Sequence, residues 1–193
     1  MIKRIFYTIY HAFKHKKKLY AYLVDGHLRS SKVTELTPAY FKQRALSYII
    51  LDFDGVLANH GAIQPLKKVE RWLDKLIKAM PEAEFALFTN KPSAARLAYF
   101  QARFPTMTII SGVPKKPYPD GLNQLLSAFK APKKAVVLVD DRLLTGMLAV
   151  CLAGIQGIYI TEPYQDFKKN RGVESFFALL RKTERVAVRW LGG

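Results

Sequence analysis

Apolar runs alternate with amphipathic stretches through most of this chain. The segment Leu46-Ser47-Tyr48-Ile49-Ile50-Leu51 is rich in aromatic and β-branched residues, which predicts a buried strand. Glu84 to Asn90 predicts a second strand, Thr106 to Ser111 a third, Ala135 to Asp141 a fourth and Gly157 to Ile160 a fifth. Between them, apolar positions fall at helical spacing. Pro65 to Met80 carries Leu66, Val69, Leu73, Leu76, Ile77 and Met80 on one face. Pro92 to Phe104 is predicted to turn Ala94, Leu97, Ala98 and Phe100 inward, and Asp120 to Phe129 is a further helix. Strands alternating with helices predict a parallel sheet with right-handed crossovers, an α/β fold. The uncharged run from Leu143 to Thr161 approaches the length of a membrane span, but Gly154, Gln156 and Gly157 divide it into a short helix and the last strand.

Both ends of the chain carry a different pattern. Ile2, Ile5, Phe6, Ile9, Tyr10 and Phe13 lie on one helical face, with Lys3, Arg4, His11, Lys14 and Lys16-Lys17-Lys18 on the other side or at the end. No acid occurs in residues 1–24. Such a helix either lies on an anionic membrane or packs on the core with its lysines in water. Near the other terminus, Val173, Phe176, Phe177, Leu180, Val188 and Trp190 accompany Arg171, Arg181, Lys182, Arg185 and Arg189. This too predicts an amphipathic helix, with docking on the core as the slightly favoured arrangement. The formal charge of +16, from 31 basic and 15 acidic residues, implies attraction to polyanions. One cysteine, Cys151, leaves no internal disulfide and no cysteine metal cluster, which points to a reduced, cytoplasmic chain.

Candidate chemistry sits where the strands end. The first strand runs into Asp52-Phe53-Asp54-Gly55, and pleating sends Asp52 and Asp54 the same way, towards the crevice where open α/β sheets bind ligands. Two carboxylates there repel each other unless a cation or a shared proton intervenes. A hard divalent metal, Mg²⁺, is the simplest cation, with one carboxylate free for covalent chemistry. A calcium loop would need further oxygen ligands nearby, and Val56-Leu57-Ala58 offers none. The fourth strand also ends in two acids, Asp140 and Asp141. Buried acids need partners, so such a pair is rarely only structural.

The D-x-D-G-V-L run after a hydrophobic strand resembles the first motif of the haloacid dehalogenase (HAD) superfamily of phosphatases. Thr89 and Asn90, the Lys115-Lys116-Pro117 segment and Asp140-Asp141 resemble its second, third and fourth motifs in order. The resemblance implies a Rossmann-like three-layer sandwich around a central parallel sheet. It implies Asp52 as nucleophile forming an aspartyl-phosphate and Asp54 as acid and base. Thr89, with Asn90 beside it, would bind the phosphoryl oxygens, and Lys116 would neutralise nucleophile and phosphate. Mg²⁺ would be held by Asp52, Asp141 and the backbone carbonyl of Asp54, supported by Asp140.

Core helices and strands fill the spaces from Asp52 to Thr89 and from Thr89 to Lys116, leaving no room for the superfamily's cap domains. An open site of this kind favours a large phosphorylated partner. Within the superfamily the chain resembles the class IIIA, YqeG-like group that includes phosphatidylglycerophosphate phosphatases. It departs from that group in Gly55-Val56 after the first motif. It also has Asp140 and Gly146 where one subgroup has Gly and Asp, so acidic capacity is moved rather than lost. The expected organisation is a basic amphipathic helix over 1–24, a phosphatase core over 25–165 and a basic amphipathic helix over 166–193. The expected substrate is a phosphorylated membrane lipid, with the protein in the cytoplasm or peripheral on the inner membrane surface. Nucleic-acid ends or a soluble phosphoester are the alternative, and a non-catalytic HAD-like binding protein is a third.

Overall fold

The computed structural model describes residues 2–193. Six parallel strands form one sheet in the order β1-β6-β5-β2-β3-β4. Strand β2 (Tyr48–Leu51) lies between β3 (Glu84–Phe88) and β5 (Val136–Asp140), with Ile49 opposite both Phe85 and Val137. The edges are β4 (Thr108–Ile110) beyond β3, and β6 (Gln156–Ile160) then β1 (Arg29–Ser30) beyond β5. Helices cover both faces, so the central strands are buried on either side and read as continuous apolar runs. The chain steps from β2 outward to β3 and β4, then returns to the opposite side of β2 with β5. That reversal places a crevice between the carboxyl ends of β2 and β5, where open α/β sheets carry their ligand sites.

Helices α3 (Pro38–Gln43), α4 (Lys67–Ala79) and α5 (Ala94–Arg103) cover one face, where Phe41, Val69, Leu73, Leu76 and Phe100 meet Ile49, Leu51, Phe85 and Leu87. On the other face, α2 (Lys16–Val24), α6 (Asp120–Phe129), α7 (Leu148–Ala153) and α8 (Arg171–Gly192) bring Leu19, Leu122, Leu148 and Val188 to Ile50, Ala86 and Leu138. This is the expected three-layer α/β sandwich. Strand β1 escaped the sequence pattern because two residues, Arg29 and Ser30, carry no periodicity; only their pairing with Tyr159 and Ile160 defines it. The expected segment over 1–24 is two helices, α1 (Ile2–Lys14) and α2, separated at His15; its first residue lies outside the described region. Among the described residues, no helix is long and apolar enough to cross a membrane.

Helices α5 and α8 bury charged residues that the periodicity did not predict, and α1 takes one of its two expected arrangements. On α5 the buried residues are Arg96 and Phe100, whereas Ala94 and Ala98 are exposed. On α8 they are Glu174, Arg181, Glu184 and Val188, while Phe176, Leu179 and Trp190 face outward. On α1 the whole apolar stripe faces outward: Ile2, Ile5, Phe6, Ile9, Tyr10 and Phe13 are between 52% and 69% exposed. Only Ala12 of α1 is buried, and the Tyr7 ring packs against Tyr118 with centroids 4.5 Å apart and planes tilted by 41°. A small residue and one ring allow close approach to α7 and the turn preceding it, while the lysines and large apolar groups stay free.

Gly157 permits the docking of α2 on the sheet, since a β-carbon there would lie 2.6 Å from the Tyr22 hydroxyl and 3.0 Å from Met147 Sδ. Gly157→Ala is expected to destabilise the protein by about 1–3 kcal/mol through overpacking, read as a lower denaturant midpoint at unchanged slope.

Candidate active site

Asp52 immediately follows β2, and Asp140 and Asp141 end and follow β5, so the sheet reversal alone brings three carboxylates together. One oxygen from each lies within 4.8 Å of the others, and all three residues are buried. Lys116 reaches this cluster from the loop before α6. Its Nζ donates to Asp52 Oδ1 at 2.8 Å, to Asp140 Oδ2 at 2.5 Å and to the Phe88 carbonyl at 3.1 Å, which uses all three of its protons. Arg181 of α8 donates from Nε to Asp141 Oδ2 at 2.5 Å. Three carboxylates thus face two fixed cations, so the fully ionised cluster carries one unbalanced negative charge.

A cation fits this donor set. Asp141 Oδ1 is buried and accepts no hydrogen bond, and hard carboxylate oxygens suit Mg²⁺. Asp52, Asp140 and Asp141 are the residues that would hold it; the Asp54 carboxylate lies outside this group. Burial pushes the Asp52 carboxyl up to about 8, a rise that Lys116 opposes and that Asp140 and Asp141 increase. Burial likewise raises Asp141 to about 6, against the pull of Arg181. Burial alone would lower the Lys116 pKa, but Asp140 and Asp52 outweigh it and raise it.

The cluster opens into a cavity of about 280 Å³ lined by Asp52, Asp54, His60, Asn90, Lys116 and Thr145, with Phe176, Phe177 and Leu180 of α8 forming a wall. Asp54 is held by Arg96 through two hydrogen bonds of 3.0 Å. The same guanidinium donates to Thr89 Oγ1 at 3.2 Å, to the Lys91 carbonyl at 3.0 Å and to the Ala62 carbonyl at 2.8 Å, and stacks on Phe53 at 3.7 Å. Thr89 is buried behind the cavity rather than lining it. Asn90 Oδ1 accepts from the Lys116 amide at 2.8 Å and so fixes the lysine loop. His60, the loop histidine, is buried: its ring lies 3.1 Å from Glu174 Oε2 and stacks at 3.9 Å on Phe177. Burial and the Arg181 charge lower its pKa against the pull of Glu174.

Helix α8 contributes what the sequence pattern concealed. Its buried charges each hold a different part of the site: Glu174 the loop after β2, Arg181 the metal-type carboxylate, and Glu184 the turn after β5. Glu184 accepts from the Leu143 amide at 3.0 Å and pairs with Arg142. Spacings of seven, three and four residues from Glu174 to Val188 put all of them on one helical face. The apolar stripe of Phe176, Phe177 and Leu180 drew attention to the neighbouring face instead.

The departures at Asp140 and Gly146 are one geometric exchange. A β-carbon on Gly146 would overlap the Asp140 carboxylate, so the acid occupies the space that a side chain at 146 would need.

No family model matches the chain, and no curated protein matches it. Among solved structures, an uncharacterized protein from Corynebacterium glutamicum is 24% identical, with 70% of this chain and 95% of that one covered at a TM-score of 0.46. The cobalt-bound deoxy-D-mannose-octulosonate 8-phosphate phosphatase from Haemophilus influenzae is 13% identical, covering 73% and 92% at 0.48. A 3-deoxy-D-manno-octulosonate 8-phosphate phosphatase from Moraxella catarrhalis, solved with magnesium and phosphate, is 15% identical, covering 73% and 98% at 0.45. Likenesses this distant carry no function to this chain.

Because burial lifts the Asp52 and Asp141 carboxyls above their ordinary value of 3.8, these two groups bind more protons in the metal-free native state than in the unfolded chain. His11, His15 and His60, whose pKa values are lowered, bind fewer. The carboxyl contribution to stability without metal is therefore expected to fall as pH rises from about 4 to about 8, and Mg²⁺ to flatten it, so Asp52→Asn should remove part of that slope. Denaturant midpoints measured across this range with chelator and with Mg²⁺ check both. Gly146→Ala is expected to cost about 1–3 kcal/mol and to weaken Mg²⁺ binding in calorimetry, because it displaces Asp140.

Proposed function

We propose that this chain is a Mg²⁺-dependent phosphomonoester hydrolase of the HAD type, working through an aspartyl-phosphate on Asp52. The observation that carries this reading is the convergence of Asp52, Asp140, Asp141 and Lys116 at the sheet reversal, with Asp52 facing the cavity. An Asp52 oxygen attacks phosphorus in line, and the bond from phosphorus to the alcohol oxygen breaks. Asp54, entering the step protonated, gives that proton to the departing alcohol and is left as the carboxylate that Arg96 pairs with. Water then attacks the phosphoryl group, gives its proton to Asp54 and releases Asp52 and inorganic phosphate. Bound Mg²⁺ supplies positive charge that offsets repulsion between the Asp52 carboxylate and the phosphate. Lys116 aims Asp52 and opposes the rise in its pKa, Asn90 fixes Lys116, and Arg96 holds Asp54 beside the reacting centre.

The substrate we propose is a phosphorylated lipid of the phosphatidylglycerophosphate type, met at an anionic bilayer surface. Support comes from α1, whose outward apolar stripe is flanked by Lys3, Lys14, Lys16, Lys17 and Lys18 in a segment without acids. Such a surface suits insertion at headgroup depth with basic side chains on anionic lipid. Arg4 of α1 and Phe176 and Leu180 of α8 line the cavity, so both terminal helices border its mouth.

Purified protein with Mg²⁺ is expected to hydrolyse an aryl phosphate, and Asp52→Asn to lower kcat by at least about 10³-fold while keeping the wild-type unfolding midpoint. Equal rates in wild type and Asp52→Asn would overturn the nucleophile assignment. Phe6→Asp with Phe13→Asp should release the protein from anionic vesicles; undiminished retention, or tighter binding to DNA ends than to vesicles, counts against the lipid reading.

A further inference from the structure

The cavity holds more positive charge than hydrolysis at Asp52 uses. Lys116 is committed to Asp52 and Asp140, Arg181 to Asp141, Arg96 to Asp54, and Arg142 to Glu184. Three further cations line the same space: Arg4 from α1, Lys91 from the β3–α5 loop, and Lys115 beside the committed lysine. None of the three has an acidic partner among the described residues. Lys91 rests instead over the Phe177 ring at 4.9 Å, which keeps its ammonium over the cavity wall. Arg4 is half-buried where α1 borders the cavity. Three elements distant in sequence thus converge their unpaired cations on one opening, beside an apolar wall of Phe176 and Leu180.

We propose that Arg4, Lys91 and Lys115 form a second anion subsite, which selects a phosphomonoester carrying another oxyanion on its alcohol portion. This rests on reading the cavity as a phosphomonoester site and adds the residues that read a second oxyanion on its substrate. Like charges held together at an opening repel each other, and a bound oxyanion relieves that repulsion while accepting charge-assisted hydrogen bonds. The apolar wall covers the carbon skeleton joining the two anions. A second phosphate ester and a headgroup phosphodiester share this chemistry.

The test compares kcat/KM for a series of α,ω-alkanediol bisphosphates with that for the matching monophosphates. A second arm compares phosphatidylglycerophosphate with phosphatidic acid in neutral micelles. The wild type should prefer the two-anion member by about tenfold in at least one arm, the worth of three screened ion pairs. The arm in which preference appears identifies free phosphate or headgroup diester as the recognised group. In the Arg4→Ala/Lys91→Ala/Lys115→Ala variant, whose altered side chains are exposed or half-buried, that preference should fall to about parity. Calorimetric binding of the same bisphosphates and monophosphates to both proteins reads the subsite without turnover. A chain that hydrolyses nothing yet shows variant-sensitive preference in binding would refute the proposed activity and keep the subsite. No preference in either arm or in binding, or a preference the triple substitution leaves intact, overturns it.

Discussion

An ammonium group buried between two carboxylates organises this molecule. Lys116 Nζ lies 2.8 Å from Asp52 and 2.5 Å from Asp140, so it ties the ends of two neighbouring strands to the loop before α6. Removing the ammonium would leave two buried carboxylates facing each other uncompensated, which costs several kcal/mol. The arrangement persists because every proton on Lys116 has an acceptor, and because Asn90 holds the backbone carrying it. It also leaves the fully ionised acid cluster with one unbalanced negative charge, which makes the site receptive to a cation.

The remaining charges of the site form separate pairs around that centre. Arg96 neutralises Asp54, Glu184 neutralises Arg142, and Glu174 meets His60, each drawing a different loop towards the sheet reversal. Two of these partners sit on α8, so the C-terminal helix serves as a wall of the cavity and a brace for its floor. The open mouth expected from the absence of inserted cap segments is thereby narrowed by the chain's own ends. Outward-facing apolar residues on α1 and α8 remain uncovered, an arrangement that costs solubility unless another surface meets it. Cys151 takes no part: it is half-buried in α7, and burial pushes its thiol up to about 11.

The sheet and the acids at its strand ends were legible from local pattern alone. Ile49, Ile50 and Leu51, like Val136 to Val139, lie in runs whose burial on both faces follows from their composition. Pleating then dictates which way Asp52 and Asp54 leave the strand. Helix faces were read less well. On α5 and α8 the inward positions include charged residues that pair with loops far away in sequence, as with Arg96 and Asp54, 42 residues apart. Hydrophobic periodicity has no means of distinguishing a buried ion pair from a solvated charge.

From the residues alone came the α/β class, the helical and strand segments, the acidic pairs and the basic excess, because each is a property of neighbours along the chain. Tertiary structure decided that Asp140 joins Asp52 and Asp141 in one buried cluster while Arg96 holds the Asp54 carboxylate, that α8 supplies Arg181, and that α1 turns its apolar stripe to solvent. Those outcomes depend on strand order and on which helix face meets which loop. They are set by pairwise distances and burial, which no single stretch of sequence encodes.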